Sequence, residues 1–280
     1  GVSVRSYGEF AVQKESQGNQ EQEGEHAPGG PYEGAAPGLA GRVNPDYPPY
    51  DLKVPDSRRV DVWLEEFRRF EASGNLPRLS IFHLPNDHTA GTRPGYPTPR
   101  AMIAENDLAL GRMVEAISKS RFWKESAIFI VEDDAQNGPD HVDAHRSVAL
   151  VVSPWTRRGA VDSILYTTAG MLRTIELILG LPPMSQYDAA ATPMYGAFQA
   201  KPDLAPFTHR EPRVRLDEMN APTAWGAAAS LAMDMEEADR APDLELNEVL
   251  WRSVRGADSP MPPPVHAAFV RPVETEDEDE

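Results

Sequence analysis

Ala127-Ile-Phe-Ile-Val131 runs directly into Glu132-Asp-Asp-Ala-Gln-Asn-Gly138, and Leu79-Ser-Ile-Phe-His-Leu84 runs into Pro85-Asn-Asp-His-Thr-Ala-Gly91. Both are short apolar runs of strand length that end in a polar, acidic loop. A third run, Val148-Ala-Leu-Val-Val152, has the β-branched composition of a strand buried on both faces. Helical spacing fills the intervals. Val60, Trp63, Leu64, Phe67 and Phe70 recur every three or four residues behind the N-cap candidates Asp56-Ser57 and stop near Gly74. Met102, Ile103, Leu110, Met113, Val114 and Ile117 do the same over residues 100–119. Thr167 or Thr168 caps a helix through Met171, Leu172, Ile175 and Leu179 to Gly180. Strands alternating with helices predict an α/β fold with a mostly parallel central sheet flanked by helices.

Outside this region the signals thin out. Val2-Ser-Val-Arg-Ser-Tyr7 alternates with period two and predicts a half-buried strand at the start of the chain. Residues 13–50 are rich in Gln, Glu, Gly and Pro and read as a long loop or as disorder. Beyond Leu181 the chain turns rich in Pro, Ala and Asp, with one helical stretch at Leu244-Glu-Leu-Asn-Glu-Val-Leu-Trp251, and reads as a wrapping extension.

The 280 residues carry a net charge of −17 and a mean hydropathy of −0.48, and six of the negatives lie in the tail Glu274-Thr-Glu-Asp-Glu-Asp-Glu280. An acidic body repels a phosphate backbone, which excludes nucleic acid as a general partner. No run has the roughly 20 consecutive apolar residues of a membrane span, and no secretory signal pattern follows Gly1. The absence of cysteine removes disulfides and thiolate metal sites and fits either a periplasmic or a cytosolic protein.

Four of the seven histidines, His83, His88, His141 and His145, are interleaved with Asp87, Asp133, Asp134, Asp140 and Asp143. In open parallel sheets ligands bind beyond the carboxyl ends of strands, where both acidic loops fall. Imidazole and carboxylate together suit a transition metal or a two-metal site, and paired cations can bridge a phosphate ester. His83 lies within a strand run and reads as a packed core histidine. Arg146 could bind phosphate or a neighbouring carboxylate. Thr89 is the only hydroxyl in these loops, and nothing in the sequence sets an activating base or metal beside it. No P-loop or dinucleotide motif occurs.

Four segments together carry a family resemblance: Leu84-Pro-Asn-Asp-His-Thr-Ala-Gly91, Ala104-Glu-Asn-Asp-Leu-Ala-Leu-Gly111, Ile130 to Arg146, and Ile175-Glu-Leu-Ile-Leu-Gly-Leu-Pro-Pro183. They resemble the bacterial phosphoesterase domain that is often fused to a YVTN-type β-propeller. That family stands in the acid phosphatase and phospholipase C-like branch of the alkaline-phosphatase-like superfamily. The resemblance implies an alkaline-phosphatase-like fold, a phosphate mono- or diester substrate, and one or two divalent ions (zinc, manganese, iron or calcium). It makes Asp133 and Asp134 ligands of one metal, with Asp87 or His88 and His145 serving a second, and His141, Asp143 and Arg146 substrate or supporting residues. A β-propeller or further N-terminal segment is the implied partner, and a periplasmic or secreted parent the implied setting.

In the superfamily the first acidic ligand and the Ser or Thr nucleophile precede the region matched by Val2 to Phe10, and neither motif is present in this sequence. The expectation is therefore the C-terminal part of a phosphoesterase domain over residues 1–200, incomplete at its N-terminus, a wrapping extension over 201–270 and an acidic tail over 271–280. Such a chain is expected to be a poor catalyst by itself. The alternative is a noncatalytic or degenerate metal-binding or interaction domain on the same scaffold.

Overall fold

A computed structural model describes residues 1–14, 31–133, 143, 145–237 and 240–265. The chain forms two compact units. The first comprises Gly1–Thr89, Arg100–Phe129 and Val151–Glu218, and the second comprises Ala90–Pro99, Ile130–Leu150 and Met219–Glu280. Among the described residues no helix is long and apolar enough to cross a membrane.

The first unit is organised around a parallel strand pair, β1 (Val4–Tyr7) and β4 (Leu79–Phe82), in the register Val4 to Leu79 through Tyr7 to Phe82. Between them come a small antiparallel pair, β2 (Ala11–Gln13) and β3 (Tyr32–Gly34), and helix α1 (Asp56–Ser73). The other edge of β1 is occupied by residues 42–44: Ser6 N–H donates to the Arg42 carbonyl at 2.9 Å, and Asn44 N–H to the Ser6 carbonyl at 2.9 Å. Such coverage satisfies backbone groups that a bare strand edge leaves open. Thus the span read as loop supplies strand pairing and two buried apolar residues, Val43 and Tyr47.

Helix α1 and helix α2 (Pro99–Lys119) close this core as their apolar spacing predicts. Val60, Val62, Trp63 and Phe67 of α1 meet Ala109 and Met113 of α2, with Tyr7 and Tyr47 fully buried among them. The rings interlock: Tyr7 stacks on Phe82 at 4.6 Å between centroids, and Trp63 meets Phe82 edge-on at 5.7 Å. Burying each large apolar side chain contributes about 1.5–3 kcal/mol, so these aromatics dominate the stability of the unit. Helix α1 stops at Gly74, whose left-handed conformation (φ 71°) releases the chain toward β4.

The remaining strands are β5 (Ile128–Val131) and β6 (Ala149–Val152), followed by helices α3 (Thr168–Leu179) and α4 (Gln186–Ala190). Thr167 caps α3 through Gly170 N–H and Gly180 ends it at φ 70°, both as predicted. The α/β content holds, but the described residues form three separate two-stranded sheets rather than one mostly parallel central sheet. At the two ends of β5 and β6, Glu132 N–H donates to the Val148 carbonyl, and Ser153 Oγ to the Ser126 carbonyl. The end of one strand therefore meets the start of the other, as in an antiparallel pair. Val131 of β5 and Leu150 of β6 are 40% and 49% exposed, so these strands are not buried on both faces. A continuous apolar run gives no directional information, which is why the sequence does not separate the two arrangements.

In the second unit, helices α5 (Ala227–Ala232) and α6 (Asp243–Arg255) accompany the segment after Thr89. Asn220 Nδ2 donates to the carbonyls of Gly91, Arg93 and Pro97, at 3.2, 3.0 and 3.0 Å. Ser230 Oγ accepts the Thr92 N–H at 3.1 Å. The extension therefore satisfies the backbone of the 91–97 segment, which has no ladder of its own.

Candidate functional site

The acidic loop after β4 is built on a buried polar network within the first unit. Pro85–His88 form one 3-10 turn. Its first free amide, Asn86 N–H, donates to Asp56 Oδ2 at 3.0 Å, and Asn106 Nδ2 donates to the same oxygen at 3.0 Å and to the Leu84 carbonyl at 2.9 Å. Asn106 Nδ2 also approaches Asp87 Oδ1 at 3.5 Å. Asn86 Nδ2 reaches Glu105 Oε2 at 3.3 Å, and the buried Asn86 Oδ1 has no hydrogen-bond partner among the described residues.

Asp56 is itself fully buried and pairs with Arg59, Nη1 to Oδ1 at 3.0 Å. Burial pushes the Asp56 carboxyl up to about 6, while Arg59, Asn106 and the Asn86 N–H pull the other way and Glu105 adds to the rise. Arg59 spends its other donors on backbone carbonyls. Nε donates to Pro48 at 3.0 Å, Nη1 to Val54 at 2.6 Å, and Nη2 to Pro49 at 2.6 Å and Asp51 at 3.0 Å.

That pinned loop carries Tyr50, whose ring lies edge-on to His88 at 5.9 Å and roughly parallel to His83 at 6.3 Å. His83 is not a core histidine: its side chain is 28% exposed, and Nδ1 faces Glu9 Oε2 at 3.6 Å. His88 Nδ1 lies 2.8 Å from the Thr89 carbonyl. A carbonyl only accepts, so Nδ1 carries the proton in this contact and Nε2 is the ring nitrogen it leaves over. Thr89 adopts φ 61° and ψ 168° with its side chain fully buried. That backbone region is essentially restricted to glycine, so a β-branched residue there stores strain of about 1–3 kcal/mol. Burial also withdraws the Thr89 hydroxyl from solvent, against its use as a nucleophile.

The second group belongs to the other unit. Asp133 is exposed and lies just beyond β5. Asp143 Oδ1 accepts both the backbone N–H of His145 and its Nδ1, each at 3.0 Å, and the Asp143 carbonyl accepts the Arg146 N–H at 3.0 Å. These contacts bring Asp143, His145 and Arg146 together, and the carboxylate makes Nδ1 the protonated nitrogen of His145, as carboxylates do when they orient the ring of a metal-binding histidine. Asp134 and His141, two of the expected site residues, lie outside the described residues.

Oxygen and imidazole donors of these kinds suit zinc or manganese. Among the described residues, however, no three His, Asp or Glu side chains come together to hold an ion. The sequence reading missed Tyr50, Asp56, Arg59 and Asn106 as supports of the loop. Asn106 offered a signal, since Glu105-Asn106-Asp107 interrupts an otherwise amphipathic helix with consecutive polar residues. No protein-family model matches the sequence, and no curated protein matches it.

Proposed function

We propose that the chain is a phosphoesterase domain of alkaline-phosphatase-like fold, acting on phosphate mono- or diesters with divalent metal. One observation carries the reading. The loop Asp87–Thr89 follows a parallel strand, rests on a fully buried charge pair, and ends in a strained residue that the surrounding structure must hold in place. Strain of this kind concentrates at functional sites. The four sequence segments that resemble the phosphoesterase family supply the chemistry.

On this reading, which follows the family resemblance, Asp133 and Asp134 are ligands of one ion, and Asp87 or His88, together with His145, serves a second. A bound divalent cation supplies charge stabilisation for the phosphoryl oxygens. His88 is oriented by its bond to the Thr89 carbonyl, and His145 by Asp143. The nucleophile comes from a Ser or Thr outside the motifs present in this sequence.

Hydrolysis of p-nitrophenyl phosphate and its bis-ester with manganese, zinc or calcium tests the reading. The 280-residue chain should turn over on the order of a thousandfold or more slowly than a chain extended upstream through a Ser or Thr nucleophile segment. Equal rates would return Thr89 as the hydroxyl to examine. Asp133→Asn should weaken manganese and zinc uptake in calorimetric titration, and unchanged affinity would remove the metal assignment. A second reading, a degenerate binding or interaction domain, draws on the absence of a three-ligand cluster among the described residues. No metal-dependent turnover from the extended chain would favour it.

A further inference from the structure

We infer that the buried Asp56–Arg59 pair is a positioning device that couples the Asp87–His88 loop to the loop carrying Tyr50, so that the two sides of the site are set by one interaction. The inference rests on the reading of Asp87 and His88 as site residues.

The geometry is a chain of contacts through the interior of the first unit. Asp56 holds one side through Asn86 N–H and, by way of Asn106, the Leu84 carbonyl. Arg59 holds the other side through the carbonyls of Pro48, Pro49, Asp51 and Val54. The two loops meet where the Tyr50 ring stands edge-on to His88. Both charged side chains are fully buried, and Arg59 Nη1 to Asp56 Oδ1 at 3.0 Å is the contact that links the two sets of bonds. A buried pair contributes little net stability compared with apolar side chains of similar volume, because desolvation offsets the attraction. What the pair does here is order five carbonyls, that of Leu84 by way of Asn106, and one amide in two segments that no strand ladder fixes.

Positioning and stability are separable for the same reason. Asp56→Leu with Arg59→Met keeps the interior filled and removes the two charges together, so no unpaired buried charge is left while both loops lose their anchor. Arg112 provides the control. It bonds Asp61 at 2.6 Å and the Ser57 carbonyl at 3.3 Å on the same helix α1, and its bonds involve neither loop.

The test is proton–carbon NMR of the aromatic rings in the full 280-residue chain. The wild type should show a cross-relaxation peak between the Tyr50 and His88 rings. In Asp56→Leu/Arg59→Met this peak should be lost and the His88 signals should shift, with the Trp63 and Phe67 signals unchanged. Asn106→Ala, which leaves the charge pair intact, should shift His88 as well and serves if the double variant does not fold. Arg112→Met should leave the Tyr50–His88 peak in place. Persistence of the peak in the double variant, unchanged His88 signals in Asn106→Ala, or equal disturbance by Arg112→Met would overturn the coupling. Inorganic phosphate separates the coupling from the functional reading. A phosphate-dependent His88 shift that survives the double variant counts against the coupling. Loss of the ring contact with no phosphate response in the wild type supports the coupling and counts against the phosphoesterase reading.

Discussion

Glu105 Oε1 lies 2.7 Å from the backbone nitrogen of Ser57, so a side chain of helix α2 caps the N-terminus of helix α1. The N-cap position is Pro55, which has no side chain able to accept, and Glu105 Oε2 takes the Asp56 N–H at 2.9 Å in its place. The negative charge also faces the positive end of the helix dipole. Asp56 and Ser57, the N-cap candidates of the sequence, are thus the first helical residues. Glu105→Ala should cost about 1–2 kcal/mol, the scale of a lost cap, read as a lower urea midpoint with unchanged slope. A loss below about 0.5 kcal/mol would mean that solvent replaces the carboxylate without penalty.

Thr89 inverts the usual order of substitutions. At an ordinary position glycine is less stable than alanine, but φ 61° with ψ 168° penalises any Cβ. Thr89→Gly should therefore be more stable than Thr89→Ala by about 1 kcal/mol or more. Denaturation of the two variants side by side decides it, and alanine as the more stable of the two would contradict the strained backbone.

Acid should loosen the segment around His209 from helix α2. Glu115 accepts from Lys119, from the His209 N–H at 2.9 Å and from the His209 ring, and these partners, Lys119 foremost, hold its carboxyl down at about 2. A folded-state value below the unfolded one gives stability that is present above about 4.5, the ordinary value of a glutamate carboxyl, and is lost as pH falls toward 2. Thermal melts from pH 7 to pH 2 should show this loss, and Glu115→Gln should flatten it. An identical pH profile for the variant would assign the acid loss to other carboxylates.

In the second unit Gly226 precedes α5 at φ 78°, and a Cβ there would come within 2.7 Å of Val249 Cγ2 and 3.2 Å of Thr92 Oγ1. Gly226→Ala combines backbone strain with overpacking and should destabilise by about 2 kcal/mol. Hydrogen exchange at the α5 and α6 amides gives a local readout, and unaltered protection there would show that Val249 moves aside freely.

The sequence by itself determined the elements that repeat a physical period. The three-and-four spacing of Val60, Trp63 and Phe67 gave α1, that of Met102 to Ile117 gave α2, and Thr167 and Gly180 marked both ends of α3. These are local properties of hydrophobic patterning and capping. It also singled out Asp87-His88 and the Asp143–Arg146 turn, because acidic and imidazole side chains cluster in loops that follow apolar runs. Only the tertiary structure decided how strands pair, since apolar runs such as β5 and β6 carry no mark of partner or direction. Only it showed that Tyr47, in a stretch poor in aliphatic residues, is core, and that His83, in a run that reads as strand, lies just past β4 and is partly exposed. The supports of the candidate site loop escaped the sequence for the same reason. Asp56, Arg59 and Asn106 act through contacts between segments distant along the chain, and a buried charge looks like a surface one until its partners are in place.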